Sequence, residues 1–278
     1  MLDDRDEFVR TKVREQLVEI GEDALPFLEI AVRTEPPAVR VLAREIIKAI
    51  YPRQLEEKFR QLVLSARRGD PDLETGVLFI MEFGYPGASR EEIADALDQM
   101  AKELAPRLTP ADSPERTVRL LTHYLFHEKG FIGNHENYLD ADNSYFNKVL
   151  QRRTGIPITL SALCLFIAKR LNLPIAGVGL PGHYIVKYDS ATHPVFFDPF
   201  HKGRILSREA CINRVNSFGH KFEEYHLSPV TNRETLVRMM NNLARTYNQA
   251  GAVGKSAQLR EYIKILMSSP HRLPSNSP

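Results

Sequence analysis

The phrase GHYIVKY puts His183 at the head of one apolar run, and PVFFDP puts Asp198 at the end of the next. On neighbouring strands of a hairpin, such a pair makes a base with its orienting carboxylate: the aspartate fixes the imidazole tautomer and the imidazole takes a proton. The same residues also suit plain turns, a Gly-His before a strand and an Asp-Pro after one. A base needs a nucleophile to activate. The natural one is a thiol opening a buried helix, where free N–H groups and the helix dipole lower its pKa and form an oxyanion hole. Here the first turn of the most apolar helix reads GIPITLS, with Pro157 and no cysteine. Cys164 comes seven residues later, roughly 10 Å down the axis. Its neighbours Leu163, Leu165 and Phe166 mark it as a small buried hydrophobe. Thr159 and Ser161 lie nearer the mouth, but a hydroxyl needs stronger activation than a thiol.

Other constellations are thinner. His123, His127 and His135 with Glu128 and Glu136 match no established zinc spacing. The phrase DADNSY opens like a calcium loop, but Tyr145 stands where that loop needs glycine and Gln151 where it needs glutamate. The phosphate-loop pattern GxxxxGK[ST] is absent, and no nucleotide cradle is expected. No metal or other cofactor is expected.

The elements that must position His183 and Asp198 follow from periodicity. The run ITLSALCLFIAKRLN after Pro157 is almost uniformly apolar, so it is expected to be the buried central helix. The period then changes to short β-branched and aromatic runs, IAGVGL, HYIVKY and PVFFD, which predict strands packed on that helix in an α+β unit. Before it, GFIGNHENYLDADNS lacks periodicity and reads as a long ordered loop of the kind that carries function. Asn143 or Ser144 is expected to cap a helix through YFNKVLQRR that Gly155 ends. Further upstream, Asp70 is expected to cap a helix that Gly84 terminates, and Ser89 and Ser113 to open two more. Residues 5–50 read as short helices in antiparallel pairs, HEAT-like, with too few units to stand alone. After Ser207 the chain is expected to be helical again. Leu243, Tyr247, Gly251, Ala257 and Pro270 fall near the positions of one tetratricopeptide hairpin.

Bulk composition narrows the classes. Hydrophobic content of 43% and charged content of 26% suit a globular chain with a real core. A net charge of +2 does not suggest a nucleic-acid binder. Two cysteines without CxxC spacing fit reduced thiols better than a disulfide framework. The acidic start MLDDRDEFVR lacks an apolar h-region and no run nears 18 apolar residues, so neither a signal peptide nor a membrane span is expected, and a cytoplasmic location is.

Taken together, NSY, RRTGIPITLS, GLPGH and DPF resemble the bacterial SirB family of transglutaminase-like proteins over residues 70–215. The resemblance implies a papain-like transglutaminase core, a central buried helix on a small antiparallel sheet, flanked by mostly helical segments. Domain limits of 1–65 (HEAT-like), 66–226 (transglutaminase-like) and 227–278 (tetratricopeptide-like hairpin and tail) follow. The family's triad is Cys, His, Asp. By motif, His183 takes the histidine place and Asp198 the aspartate place, while Gly155-Ile156-Pro157 falls on Gly-x-Cys, so that Pro157 holds the nucleophile's position. Proline also lacks the N–H that an oxyanion hole would use. The implied function is a catalytically inactive module binding a protein or peptide in the former cleft, lined by Asn134, Asn143, Ser144, Pro157, Thr159 and Gly182. The alternative is a cysteine hydrolase or acyltransferase using Cys164 as a displaced nucleophile with His183 and Asp198.

Overall fold

The structure is a computed structural model that describes residue 2 and residues 6–66 and 69–268. Three helices come first: α1 (Glu7–Ile20), α2 (Leu25–Thr34) and the long α3 (Pro37–Leu64). Ala24, Leu28, Ala43, Ile46 and Ile50 close a small core of their own. Beyond Pro52, which sits inside α3, the same helix turns Leu55, Phe59, Leu62 and Val63 into the main core. The first helices therefore share one element with the rest of the protein.

α4 (Leu73–Gly84) is capped by Asp72, whose carboxylate accepts from the Thr75 N–H. Asp70, the residue expected to cap it, instead reaches across the chain. Its two oxygens accept from the backbone N–H groups of Asn232 and Arg233, each at 3.0 Å, at the start of α10 (Asn232–Gln249). Gly84 is the last helical residue, and the Tyr145 ring fills the space a Cβ would need. Ser89 caps α5 (Arg90–Leu104) and Ser113 caps α6 (Pro114–His123), which continues into a π-helical turn, Tyr124–Glu128.

The loop that follows is ordered by pairing rather than by periodicity. Its strand β1 (Ile132–Gly133) lies parallel to β2 (Thr154–Gly155). Between them, α7 (Phe146–Arg152) starts at Tyr145 without a side-chain cap, so neither Asn143 nor Ser144 caps it. It ends at Arg153, which takes the left-handed conformation at φ 52°, two residues before Gly155.

α8 (Pro157–Arg170) begins at Pro157, whose missing N–H costs nothing at the first helical position. It is the buried central helix, with Leu160, Ala162, Leu163, Cys164 and Ile167 fully enclosed. A four-stranded antiparallel meander packs against it: β3 (Ile175–Val178), β4 (Ile185–Tyr188), β5 (Val195–Asp198) and β6 (Arg204–Leu206). β6 has no counterpart in the sequence reading, because three residues are too few to show alternation. The strand period of two divides the sheet's side chains between two cores. Val186, Val195 and Phe197 pack with α8, whereas Val178, Ile185 and Phe196 pack with Cys211 and Val215 of α9 (Arg208–Ser217). The result is an α+β unit of helix, sheet and helix.

α10 and α11 (Val253–Met267) form a hairpin whose Leu243, Tyr247, Leu259, Tyr262 and Leu266 lie in the main core beside α3 and α4. Of the positions read as tetratricopeptide-like, Ala257 is exposed and Pro270 lies outside the described residues.

Candidate functional site

β4 and β5 pair with Val186 opposite Phe197, which brings the residues just before β4 alongside the end of β5. His183 stands two residues ahead of β4, in a turn that Gly182 makes with a positive φ of 66°. The Phe218 ring lies where a Cβ on Gly182 would be, so both conformation and packing require glycine there. His183 Nε2 lies 2.6 Å from Asp198 Oδ2, and both side chains are buried. The imidazole and the carboxylate are thus hydrogen-bonded across the hairpin.

A third residue joins it. Asp198 caps the short 3-10 turn Pro199–His201: its Oδ1 accepts from the N–H groups of Phe200 and His201. That turn brings His201 Nδ1 to 2.8 Å from the same Oδ2 that meets His183. Burial alone would push the Asp198 carboxyl up, but hydrogen bonds and charge from His183 and His201 outweigh it and hold it below the usual carboxylate range. The sequence signal for His201 was present in DPFH, since an aspartate opening a turn meets the residue three places on.

The cluster faces α9. Asp198 follows the parity of Phe196, and a cavity of about 220 Å³ beside it is lined by Leu180, His201, Arg204, Cys211 and Arg214 with His183. No residue of α8 lines that cavity. Cys164, the displaced nucleophile of the alternative, packs instead in the core on the α8 side of the sheet. It is fully buried and burial pushes its thiol up. The thiol that does line the cavity is Cys211, also fully buried, pushed up to about 11 by burial and by the Asp198 charge. An apolar, capped position in α9 gave Cys211 no distinguishing mark in the sequence.

Apart from Gly182, which makes the His183 turn, the residues expected to line a cleft gather elsewhere, around the start of α8. Asn134 Nδ2 donates to Asn143 Oδ1 at 3.0 Å, and the Asn143 amide donates to the Asn137 carbonyl at 2.8 Å. Thr159 Oγ1 donates to the Asn143 carbonyl at 2.9 Å and accepts from the Ile156 N–H at 3.1 Å. Ser144 and Pro157 are buried in the same assembly. Asn134, Asn143 and Thr159 thus have their polar groups engaged within the protein, pinning the loop to the first turn of α8. Phe200 joins the two assemblies: its ring lies 4.4 Å from that of His135 in the loop and 6.4 Å from that of His183.

Asp140 and Asp142, from the phrase that opens like a calcium loop, are paired with Arg152. Among the described residues, His183, Asp198 and His201 are the group whose ligand atoms converge enough to hold a metal ion, all within 4.8 Å of one another. A basic groove of about 910 Å³ adjoins the cavity through Arg204, and Arg116, Arg119, His123, His127 and Lys202 also line it. A groove of about 840 Å³ between α3 and α4 contains none of these residues. No described helix is long and apolar enough to cross a membrane.

Comparison with known proteins agrees with this architecture. The family model described as transglutaminase-like superfamily matches residues 91–241, more than half of the chain. A UPF0162 protein of Xylella fastidiosa (strain 9a5c) is 34% identical over 160 residues, 55% of this chain and 57% of that protein. A UPF0162 protein of Vibrio cholerae is 28% identical over 196 residues, 68% of this chain and 67% of that protein. Human F-box only protein 21 is 30% identical over 156 residues, 53% of this chain and 24% of that protein. The chain thus spans somewhat over half the length of the Xylella relative it matches. No solved structure matches significantly. With α8 buried against an antiparallel sheet, His183 and Asp198 joined at the ends of its two inner strands and the matched stretch running from α5 into α10, the chain belongs to the transglutaminase-like superfamily.

Proposed function

We propose that the protein is a catalytically silent transglutaminase-like domain that binds a peptide or protein partner at the surface around His183, Asp198 and His201. Arg238 of α10 adjoins that surface, donating to the carbonyls of Leu180 and His183. One observation carries the silence: Pro157 heads α8, and Cys164 and Cys211 are both fully buried with thiols pushed up, so no activated thiolate faces solvent.

The basic groove supports the binding half. Arg119, Lys202 and Arg204 make no side-chain hydrogen bond or ion pair with other described residues, and they line a trough that runs into the His183 cavity. Charged groups left unpaired in this way fit a segment carrying carboxylates, because charge complementarity speeds encounter and fixes register.

The test is selection of peptides from a random library, followed by anisotropy titration of the selected peptide against the native protein and Arg204→Glu. Tenfold or greater weakening by Arg204→Glu at unchanged melting temperature is the expected result, the size that loss of a charged contact produces, roughly 1–3 kcal/mol. Selection of no peptide, or binding indifferent to that substitution, overturns the binding role. Cleavage or transamidation of a bound glutamine peptide, lost in His183→Ala, overturns the silence.

A further inference from the structure

We infer that His183, Asp198 and His201 form a binding site for a divalent metal ion of the zinc class. Two imidazole nitrogens, His183 Nε2 and His201 Nδ1, converge on the single oxygen Asp198 Oδ2 at 2.6 and 2.8 Å. Two imidazoles and one carboxylate are the donor set that zinc and its neighbours in the first transition series take, with one position left for water or another ligand.

The surroundings are those of a built site. Asp198 Oδ1 is anchored by the N–H groups of Phe200 and His201, so Oδ2 is aimed by the backbone rather than free to rotate. Such outer hydrogen bonds are what orient metal-ligating carboxylates. His183 and Asp198 are 5% and 4% exposed, which shields the donors from competing water. The cavity of about 220 Å³ next to them leaves room on the open side of the ion.

The geometry needs a small adjustment. Ligand atoms around zinc, each about 2.0–2.2 Å from the ion, stand roughly 3.0–3.5 Å apart. The two rings must therefore withdraw by about half an ångström from Oδ2, each carrying its proton on its other nitrogen. His201 can move, since its side chain is 46% exposed on a surface turn. Arg204 and Arg214 line the same cavity and oppose a bare cation, so the fourth ligand is an anion: hydroxide, chloride or a carboxylate.

The metal assignment does not rest on peptide capture, although the two would share this surface, and the experiment uses the metal alone. The full chain, stripped with chelator, is titrated with Zn²⁺ by calorimetry and with Co²⁺ by visible absorption. One equivalent should bind, with Co²⁺ giving the intense bands of a four- or five-coordinate site. His201→Ala, on the exposed member, should weaken binding roughly 100-fold or more while leaving the circular dichroism spectrum and melting temperature of the metal-free protein nearly unchanged. His193→Ala, an exposed histidine between β4 and β5 and outside the cluster, should bind as the native protein does. Absence of a stoichiometric site, or equal binding by native protein and His201→Ala, overturns the assignment and leaves the three residues as a hydrogen-bonded network only.

Discussion

His183 Nε2 and Asp198 Oδ2, 2.6 Å apart and buried, look toward α9 and not toward the first turn of α8. Strand alternation is the cause: Asp198 shares the face of Phe196, which packs under α9, while Val195 and Phe197 face α8. The thiol neighbouring the pair is therefore Cys211, on a helix that arrives later in the chain.

This placement predicts the behaviour of both thiols. Iodoacetamide at pH 8 should label neither Cys164 nor Cys211 in the native protein and both after unfolding, as read by mass spectrometry. The thiolate is the reactive form, and burial with the Asp198 charge holds Cys211 up near 11. Cys164→Ala should cost roughly 1–2 kcal/mol of stability, in the range of buried truncations, without altering peptide binding. Rapid native labelling of Cys211 that His183→Ala suppresses would instead make it a nucleophile.

The brace around the start of α8 predicts stability effects where the sequence suggested binding effects. Thr159→Val keeps the shape but leaves the Ile156 N–H and the Asn143 carbonyl without this partner. Unpaired buried groups of this kind cost about 1–3 kcal/mol each. Chemical denaturation should show a loss of that order for Thr159→Val and for Asn143→Ala, against near-zero change for Arg204→Glu on the groove.

Two aspartates two residues apart cap different helices. Asp70→Ala should destabilise by about 1–2 kcal/mol, since it removes both N–H acceptors at the start of α10. Asp72 caps α4 and pairs with Lys169 at 2.7 Å. Burial pushes its carboxyl up, but the bonds from Lys169 and Thr75 prevail and hold it below its ordinary 3.8. A lowered carboxyl stabilises the fold above its unfolded value and loses that contribution as pH falls through the folded one. The melting-temperature gap between native protein and Asp72→Asn should thus be present at pH 6 and shrink as pH falls below about 4. A gap that widens on acidification contradicts the assignment.

Gly182 and Phe218 should be coupled. Gly182→Ala places a methyl group in a left-handed conformation and inside the Phe218 ring, and the conformational part alone costs about 1–3 kcal/mol. In a Phe218→Ala background the clash disappears and only that part remains. A double-mutant cycle by denaturation measures the difference, and additive costs would mean that the ring does not press on the turn.

Local pattern in the sequence was enough for the central helix from Pro157, the three strands after it, the Ser89 and Ser113 caps and the pairing of His183 with Asp198. These depend on neighbours a few residues apart, where side-chain period and capping chemistry act directly. Tertiary packing decided the rest. It set which face of β5 carries Asp198 and so brought His201, Arg204 and Cys211 to the pair. It also gave Asp70 to α10, 162 residues away, and turned Asn134, Asn143 and Thr159 into a brace. It added β6, too short to show a period but held by pairing with β5. Alternation in a strand states that side chains divide between two faces; which helix covers each face is settled only by burying the apolar surface of distant segments together.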